Sequence, residues 1–232
     1  MPVSTLVPRL ARLAATLRKV GPSASVSSAP VSFRPPDPAS SPPEPGRGIA
    51  NAGLFLKQWA SNPLRMGSVV PSSPALCQRI ARLTRAGEGE IVVELGAGTG
   101  VVSRALLAQG LAPERLTVVE IESEMAQHLR RKLPGACVVT GDAFDLPRLI
   151  PASQHGRVGT VICGIPLVLL PLERQQRFVR AVEAVAPGRG FLLYTYCITS
   201  PLPYRRLDLT ARREAWTPLN LPPASVWHYR PA

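Results

Sequence analysis

The run Ile91-Val92-Val93-Glu94-Leu95-Gly96-Ala97-Gly98-Thr99-Gly100 decides the fold. An apolar stretch with strand propensity ends in an acidic residue, a glycine-rich turn follows, and Val101 opens a helical pattern. Glycines at such a turn let the chain reverse sharply and let the backbone approach a ligand closely. A nicotinamide fingerprint requires G-x-G-x-x-G, but position 101 is Val and the glycines here stand as G-x-G-x-G. Taken alone, the turn also fits a purely structural role.

Outward from this run, strand and helix signals alternate. Strands are predicted near 90–95, 116–121, 136–140, 159–164 and 190–197, with amphipathic helices near 100–109, 123–133 and 172–186. Strands spaced by helices imply a parallel, doubly wound sheet. Upstream, a helix near 49–61 carries Ala52, Phe55, Leu56 and Trp59 on one stripe. Another begins at Ser73, whose hydroxyl can cap it, with Pro74 in the first turn. The tail from Arg213 to Arg230 offers two short strands around 220–223, which would form an antiparallel hairpin at one sheet edge.

Composition sets the boundaries. The 232 residues and 45% hydrophobic content suffice for one α/β domain plus an appendage. A formal charge of +12 points to anionic partners: nucleic acid, an acidic membrane surface or anionic small molecules. Residues 1–36 hold Arg9, Arg12, Arg18, Lys19 and Arg34 with no acid, and Leu6, Leu10, Leu13, Leu17 and Val20 recur at helical steps. Residues 1–20 are therefore a basic amphipathic helix candidate, suited to a lipid interface, to an organellar targeting role or to neither. Residues 21–47 are too rich in Pro and Ser to bury a core and read as a flexible linker, leaving 48–232 as the folded domain. The extension carries +4 of the charge and the folded part +8. Cys77, Cys137, Cys163 and Cys197 lie far apart and read as reduced core thiols, and no His or Cys spacing suggests a metal. The apolar run 161–172 is about half the ~20 residues of a membrane span and contains two prolines.

Two carboxylates follow the glycine run in order. Glu120 ends the second strand about twenty residues on, where it can accept from both ribose hydroxyls. Gly141-Asp142-Ala143 ends the third. With its G-x-G-x-G spacing after Glu94, the chain resembles class I S-adenosylmethionine-dependent methyltransferases. That resemblance implies a Rossmann-like α/β fold with a mainly parallel seven-stranded sheet and helices on both faces. It also implies S-adenosylmethionine as cofactor, with Asp142 accepting from the adenine amine. The cofactor set expected on this basis takes Glu94, Gly96, Gly98, Thr99 and Gly100 from the first turn, and Glu120 and Ile121 from the second strand end. Asp142 and Ala143 come from the third, Cys163 and Gly164 from the fourth, and Ser73 from the upstream helix.

At the substrate end, Cys163-Gly164-Ile165-Pro166-Leu167 occupies the place of methyltransferase motif IV. Nucleic-acid adenine methylases carry Asn or Asp and an aromatic there, to bond the adenine amine and stack on the flipped base. This chain has neither, despite an overall likeness to rRNA adenine dimethylases. It is more similar to bacterial soluble-type phospholipid N-methyltransferases over about residues 49–230. The likeness runs through Phe55-x-x-x-Trp59, Asn62-Pro63, Gly67, Pro71-Ser72-Ser73 and Glu94 to Gly100, then Gly141-Asp142-Ala143 and Gly164-Ile165-Pro166-Leu167. It continues in Tyr194-Thr195-Tyr196 and Asn220-Leu221-Pro222-Pro223-Ala224-x-Val226-Trp227. The chain departs from that family's pattern at Met66-Gly67-Ser68-Val69, Ala97 and Cys163.

The resemblance implies stepwise methylation of phosphatidylethanolamine toward phosphatidylcholine, in the cytoplasm and peripherally on the inner membrane face. An anionic membrane surface and a phospholipid are the expected partners, with no metal, no obligate protein partner and nucleic acid disfavoured. A primary amine with pKa ~10.4 must enter neutral, and desolvation beside a sulfonium promotes that form without a strong base. Aromatic faces suit the quaternary product. Tyr196 and Tyr204 are the expected catalytic-site residues, whereas core packing is the better reading of Tyr194 and Trp227. Lys57, Arg65, Arg205 and Arg206 are candidates for lipid phosphate or a solvated basic face, and the helix of Phe55 and Trp59 for a lid or a membrane contact. An rRNA or other methyltransferase, and a non-catalytic nucleoside-binding module, are the alternatives.

Overall fold

The computed structural model describes residues 72–196, 200–218, 220 and 223–232. The readings for residues 1–20, 21–47 and the 49–61 helix, and those for Lys57, Arg65 and Cys197, lie outside the described residues.

Ile91-Val92-Val93 is apolar without alternation because β1 (Ile91–Leu95) is buried on both faces. It is the third strand of a seven-stranded sheet, inside both edges. β2 (Leu116–Glu120) and β4 (Val158–Cys163) flank it in parallel, and both are buried throughout. β3 (Cys137–Thr140) pairs outside β2, and β5 (Phe191–Thr195) pairs with β4. The remaining two strands, β6 (Leu209–Thr217) and β7 (Ala224–Pro231), are antiparallel to their neighbours. The order β3-β2-β1-β4-β5-β7-β6 folds the hairpin back so that its second strand joins β5 and its first becomes the edge.

Alternate residues of the inner strands feed two cores. Ile91, Val93 and Leu95 face one with Val161 and Cys163, while Val92 faces the other with Leu116, Val118 and Ile162. The second core is closed by α1 (Pro74–Leu83), α2 (Val101–Ala108) and α3 (Ser123–Lys132), through Leu76, Ile80, Val102, Leu106 and Leu129. The first is closed by α4 (Leu146–Leu149) and α5 (Leu172–Val185). Phe144, Phe178, Phe191 and Tyr229 form a continuous aromatic row there, with neighbouring ring centroids 5.2 to 5.9 Å apart. Offset and edge-on contacts of this kind add about 0.5–1.5 kcal/mol per pair beyond burial.

The expected strands and helices occur with ends shifted by a residue or two, and α1 is capped as expected. The Leu76 N–H donates to Ser73 Oγ at 3.3 Å, and Pro74 occupies the first turn. Two readings are corrected, and two short elements carry no sequence signal. The edge strand begins at Leu209, not Arg213, because a register shift between Arg213 and Ala215 breaks the side-chain alternation that marks a strand. α4 and the 3-10 turn Ala143–Asp145 before it were not foreseen, since four residues containing Pro147 carry no helical period. Cys137 is exposed on the edge strand β3 and is not a core thiol, whereas Cys77 and Cys163 are buried, their thiols pushed up to about 11 and about 12 chiefly by that burial.

Candidate active site

The glycine turn stands at the carboxyl end of β1, and neighbouring strand ends press on it. Gly96 donates its N–H to the Val119 carbonyl at 2.9 Å, and the Gly164 N–H donates to the Leu95 carbonyl at 2.8 Å. Gly96, Gly98 and Gly100 adopt φ of +71°, +54° and +74°, where a side chain is strained. A Cβ on Gly100 would stand 2.7 Å from Leu129 Cδ2, so its glycine serves helix packing as well. Around Gly98 a Cβ would meet nothing within 4 Å: the turn is open on that side.

Glu120 grips this turn. Its Oε2 accepts the Gly98 N–H at 3.1 Å and its Oε1 accepts the Glu122 N–H at 3.2 Å. Burial raises its pKa, and hydrogen bonds from backbone amides counter the rise. Ile121 follows directly. Asp142 accepts the Phe144 N–H at 3.0 Å through Oδ1, capping the 3-10 turn just past β3 and fixing its carboxyl group there. Ala143 is buried beneath it.

Glu94 is 1% exposed, accepts a 2.5 Å hydrogen bond from Ser103 Oγ through Oε2, and has no hydrogen-bond partner at its buried Oε1. Burial pushes its pKa up to about 7. The Ser103 bond and the Arg104 charge hold it down, and the Glu120 charge adds to the rise. Ser103, nine residues on, was missed in sequence because its only signal is its place in the first turns of α2.

The folded pKa therefore lies above the ordinary glutamate value of 4.5. The stability that the neutral form contributes is complete below that value and is lost as pH rises through about 7. We expect denaturant-unfolding free energies to fall by roughly 3 kcal/mol more in the native sequence than in Glu94→Gln between about pH 5 and 8. Parallel curves for the two proteins would refute this.

The other expected residues divide. Thr99 is exposed, and its carbonyl accepts from Arg104 at 2.9 Å. Cys163 is fully buried with its thiol directed to the Ile165 carbonyl at 3.7 Å, so only its backbone can meet a ligand. Ser73 is joined not to the glycine turn but to Asn220: its N–H donates to Asn220 Oδ1 at 2.9 Å across 147 residues. Asn220 is buried, and it ties the start of α1 to the chain between β6 and β7. Tyr196 is half-buried against the core under α1, its hydroxyl hydrogen-bonded with Ser72, and burial raises its pKa. Tyr204 packs against the core on the opposite face of the sheet, with the Arg205 guanidinium 5.8 Å from its ring centre. The fold thus does not bring the two tyrosines into one wall. Tyr194 and Trp227 both pack against the cores.

The residues present fit S-adenosylmethionine. An unpartnered buried carboxylate oxygen on Glu94, an open glycine turn, and carboxylates at the ends of β2 and beyond β3 could meet its ammonium, its ribose hydroxyls and its adenine amine. Among the described residues no group of three His, Cys, Asp or Glu side chains is placed to hold a metal ion, and no helix is long and apolar enough to cross a membrane.

Comparison with known proteins agrees with this geometry. The methyltransferase-domain family matches residues 92–190, from within β1 to the residue before β5. The chain is similar to the ornithine lipid N-methyltransferase of Singulisphaera acidiphila, 29% identical over 184 residues, covering 76% of this chain and 94% of that protein. Over 94 residues it is 31% identical to ribosomal RNA small subunit methyltransferase A of Phenylobacterium zucineum, covering 39% of this chain and 31% of that protein. Among solved structures the fold is similar to that of the mitomycin 7-O-methyltransferase MmcR, with a TM-score of 0.52 and 18% identity over 81% of this chain and 62% of the other. The chain is a class I methyltransferase that uses S-adenosylmethionine as its cofactor and is related to lipid- and rRNA-methylating enzymes.

Proposed function

We propose that the enzyme methylates the amine of a membrane lipid, phosphatidylethanolamine and its partly methylated forms, toward phosphatidylcholine. The observation that carries this reading is the end of β4. Gly164-Ile165-Pro166-Leu167 carries neither the amide nor the aromatic that hold a flipped base, and its two partly exposed residues, Gly164 and Pro166, are apolar. Similarity to a lipid N-methyltransferase along almost that protein's whole length supports it. The enzyme would work in the cytoplasm, peripheral on the inner membrane face, with residues 48–232 as the catalytic domain, 21–47 as a tether and 1–20 as a basic amphipathic helix.

When bound, the cofactor supplies a methyl group on a sulfonium, which a neutral amine can attack. In this reading Glu120 takes the ribose hydroxyls, Asp142 the adenine amine and Glu94 the cationic methionine end. The glycine turn and Gly164 let backbone close on the ligand, and Ser73, Thr99, Ile121, Ala143 and the Cys163 backbone complete the wall. Tyr196, bonded to Ser72 just before α1, is the ring proposed to face the methylated ammonium, and Tyr204, on the opposite face of the sheet, stands apart from it. Neither needs to act as a base, because the amine proton can leave to water once the nitrogen is alkylated.

The similarity to an ornithine lipid enzyme favours a second reading, in which the amine belongs to an ornithine headgroup. The test incubates full-length protein and methyl-labelled S-adenosylmethionine with vesicles of phosphatidylethanolamine, vesicles of ornithine lipid, or rRNA. Label in phosphatidylethanolamine is the expected result. Label confined to ornithine lipid moves the assignment to the second reading, and label confined to rRNA overturns both.

A further inference from the structure

Among the described residues three large hydrophobic side chains are exposed: Val168 at 43%, Leu169 at 54% and Trp216 at 50%. Trp216 stands by itself on the edge strand β6. Val168 and Leu169 are adjacent, in the 3-10 turn Leu167–Leu169 that directly follows the substrate end of β4. We infer that this turn is a preformed lip that inserts into an anionic phospholipid bilayer and holds the site mouth against it, an inference resting on the lipid-amine reading above.

The position of the turn supports the assignment. The side chain of Ile165, two residues before the turn, reaches the glycine loop: its Cγ1 lies 3.0 Å from where a Gly96 Cβ would stand. Rigidity supports it too. The Leu169 N–H donates to the Pro166 carbonyl and the Leu170 N–H to the Leu167 carbonyl, each at 3.0 Å. Gln175, buried in the first turns of α5, donates from Nε2 to the Leu167 carbonyl at 3.1 Å and to the Leu170 carbonyl at 2.9 Å. Leu167 and Leu170 point into the core, so the same clamp turns Val168 and Leu169 outward. Two apolar side chains held in water at a site mouth are a standing cost that burial in acyl chains would remove.

Charge chooses the occupant. α5 is bonded to the lip through Gln175, and α4 and the 3-10 turn Tyr204–Leu207 share the core into which Leu167 and Leu170 point. Arg177 is paired with Asp145. On these elements Arg148, Arg174, Arg180, Arg205 and Arg206 then stand against Glu173 and Glu183, with Asp208 just past the 3-10 turn, and Arg174 is held over the Phe144 ring, 4.3 Å from its centre. An apolar tip with a cationic surround matches an interface of acyl chains beneath anionic headgroups.

The experiment uses full-length Val168→Ser/Leu169→Ser and Leu169→Trp with sedimenting vesicles of phosphatidylglycerol and phosphatidylcholine. The double variant should bind vesicles about tenfold more weakly, with S-adenosylmethionine affinity by calorimetry unchanged. Its methylation of long-chain phosphatidylethanolamine in vesicles should fall, while that of a dispersed short-chain analogue holds. Relative to the native protein, Leu169→Trp should add emission that shifts to the blue on vesicle binding and is quenched by brominated acyl chains. Undiminished vesicle binding by the double variant, or added emission from Leu169→Trp that stays unquenched, overturns the lip. So does emission already blue without vesicles, which would mean that another segment or a protein covers the turn. Loss of vesicle binding by the double variant, in a protein that methylates no lipid amine, would keep the lip and remove the substrate reading.

Discussion

Glu120→Ala should weaken S-adenosylmethionine binding at least a hundredfold. An ionised carboxylate has about four acceptor positions. Two are used by the N–H groups of Gly98 and Glu122, which leaves one on each oxygen for the ribose hydroxyls of the proposed complex. A hydrogen bond to a charged group contributes ~1.5–3 kcal/mol, so losing two costs about 3–6 kcal/mol, at 1.4 kcal/mol per tenfold. Alanine also frees the Gly98 N–H and loosens the turn itself. Glu120→Gln separates the two effects: it retains one acceptor but sets an NH2 group against a backbone donor, and should fall between alanine and the native residue. Titration calorimetry reads the dissociation constants directly. Values for the alanine variant within threefold of native would remove Glu120 from the cofactor site.

Gly164→Ala should cut turnover more than a hundredfold and lower the melting temperature by about 3–10 °C, from an overpacking cost of ~1–3 kcal/mol. Here the obstacle is space. The added Cβ would lie 2.5 Å from Tyr194 Oη and 2.6 Å from the Gly96 carbonyl oxygen, one atom a side chain and the other the backbone of the glycine turn. The end of β4 must move away from that of β1, and a displacement near 1 Å at a reacting centre costs about a hundredfold. Tyr194→Phe in the same background removes the hydroxyl contact. It should restore part of the stability and little of the activity, because the carbonyl clash remains. Gly98→Ala is the contrast, with nothing within 4 Å of its Cβ and only the positive φ to oppose it. A Gly164→Ala protein with native melting temperature and turnover would refute the close packing of these two strand ends.

Much of this was legible in the chain itself. Ile91-Val92-Val93 announces a strand covered on both faces, the glycine spacing excludes a nicotinamide fingerprint, and the alternation that follows fixes a parallel sheet of five strands. Ser73 and Pro74 marked the start of α1 because capping is a local affair of three or four residues. What stayed hidden depends on meetings between distant segments. Asn220 reaching Ser73, Ser103 under Glu94, and Gln175 holding the turn after β4 are long-range or cross-element hydrogen bonds with no periodic trace. Likewise Tyr196 and Tyr204 stand only eight residues apart in the chain, and the sheet separates them onto opposite faces.

The sequence by itself determined the class of fold and the strand ends at which the glycine turn and the carboxylates stand, because periodicity and turn chemistry are written in short windows of residues, while its resemblance to methyltransferases implied the cofactor. Only the tertiary structure decided that β7 lies between β5 and the edge, that Glu94 is buried with one oxygen unanswered, and that Val168 and Leu169 face outward beside the site. Burial and the placing of one strand end against another arise from packing between elements, and no local stretch of sequence encodes them.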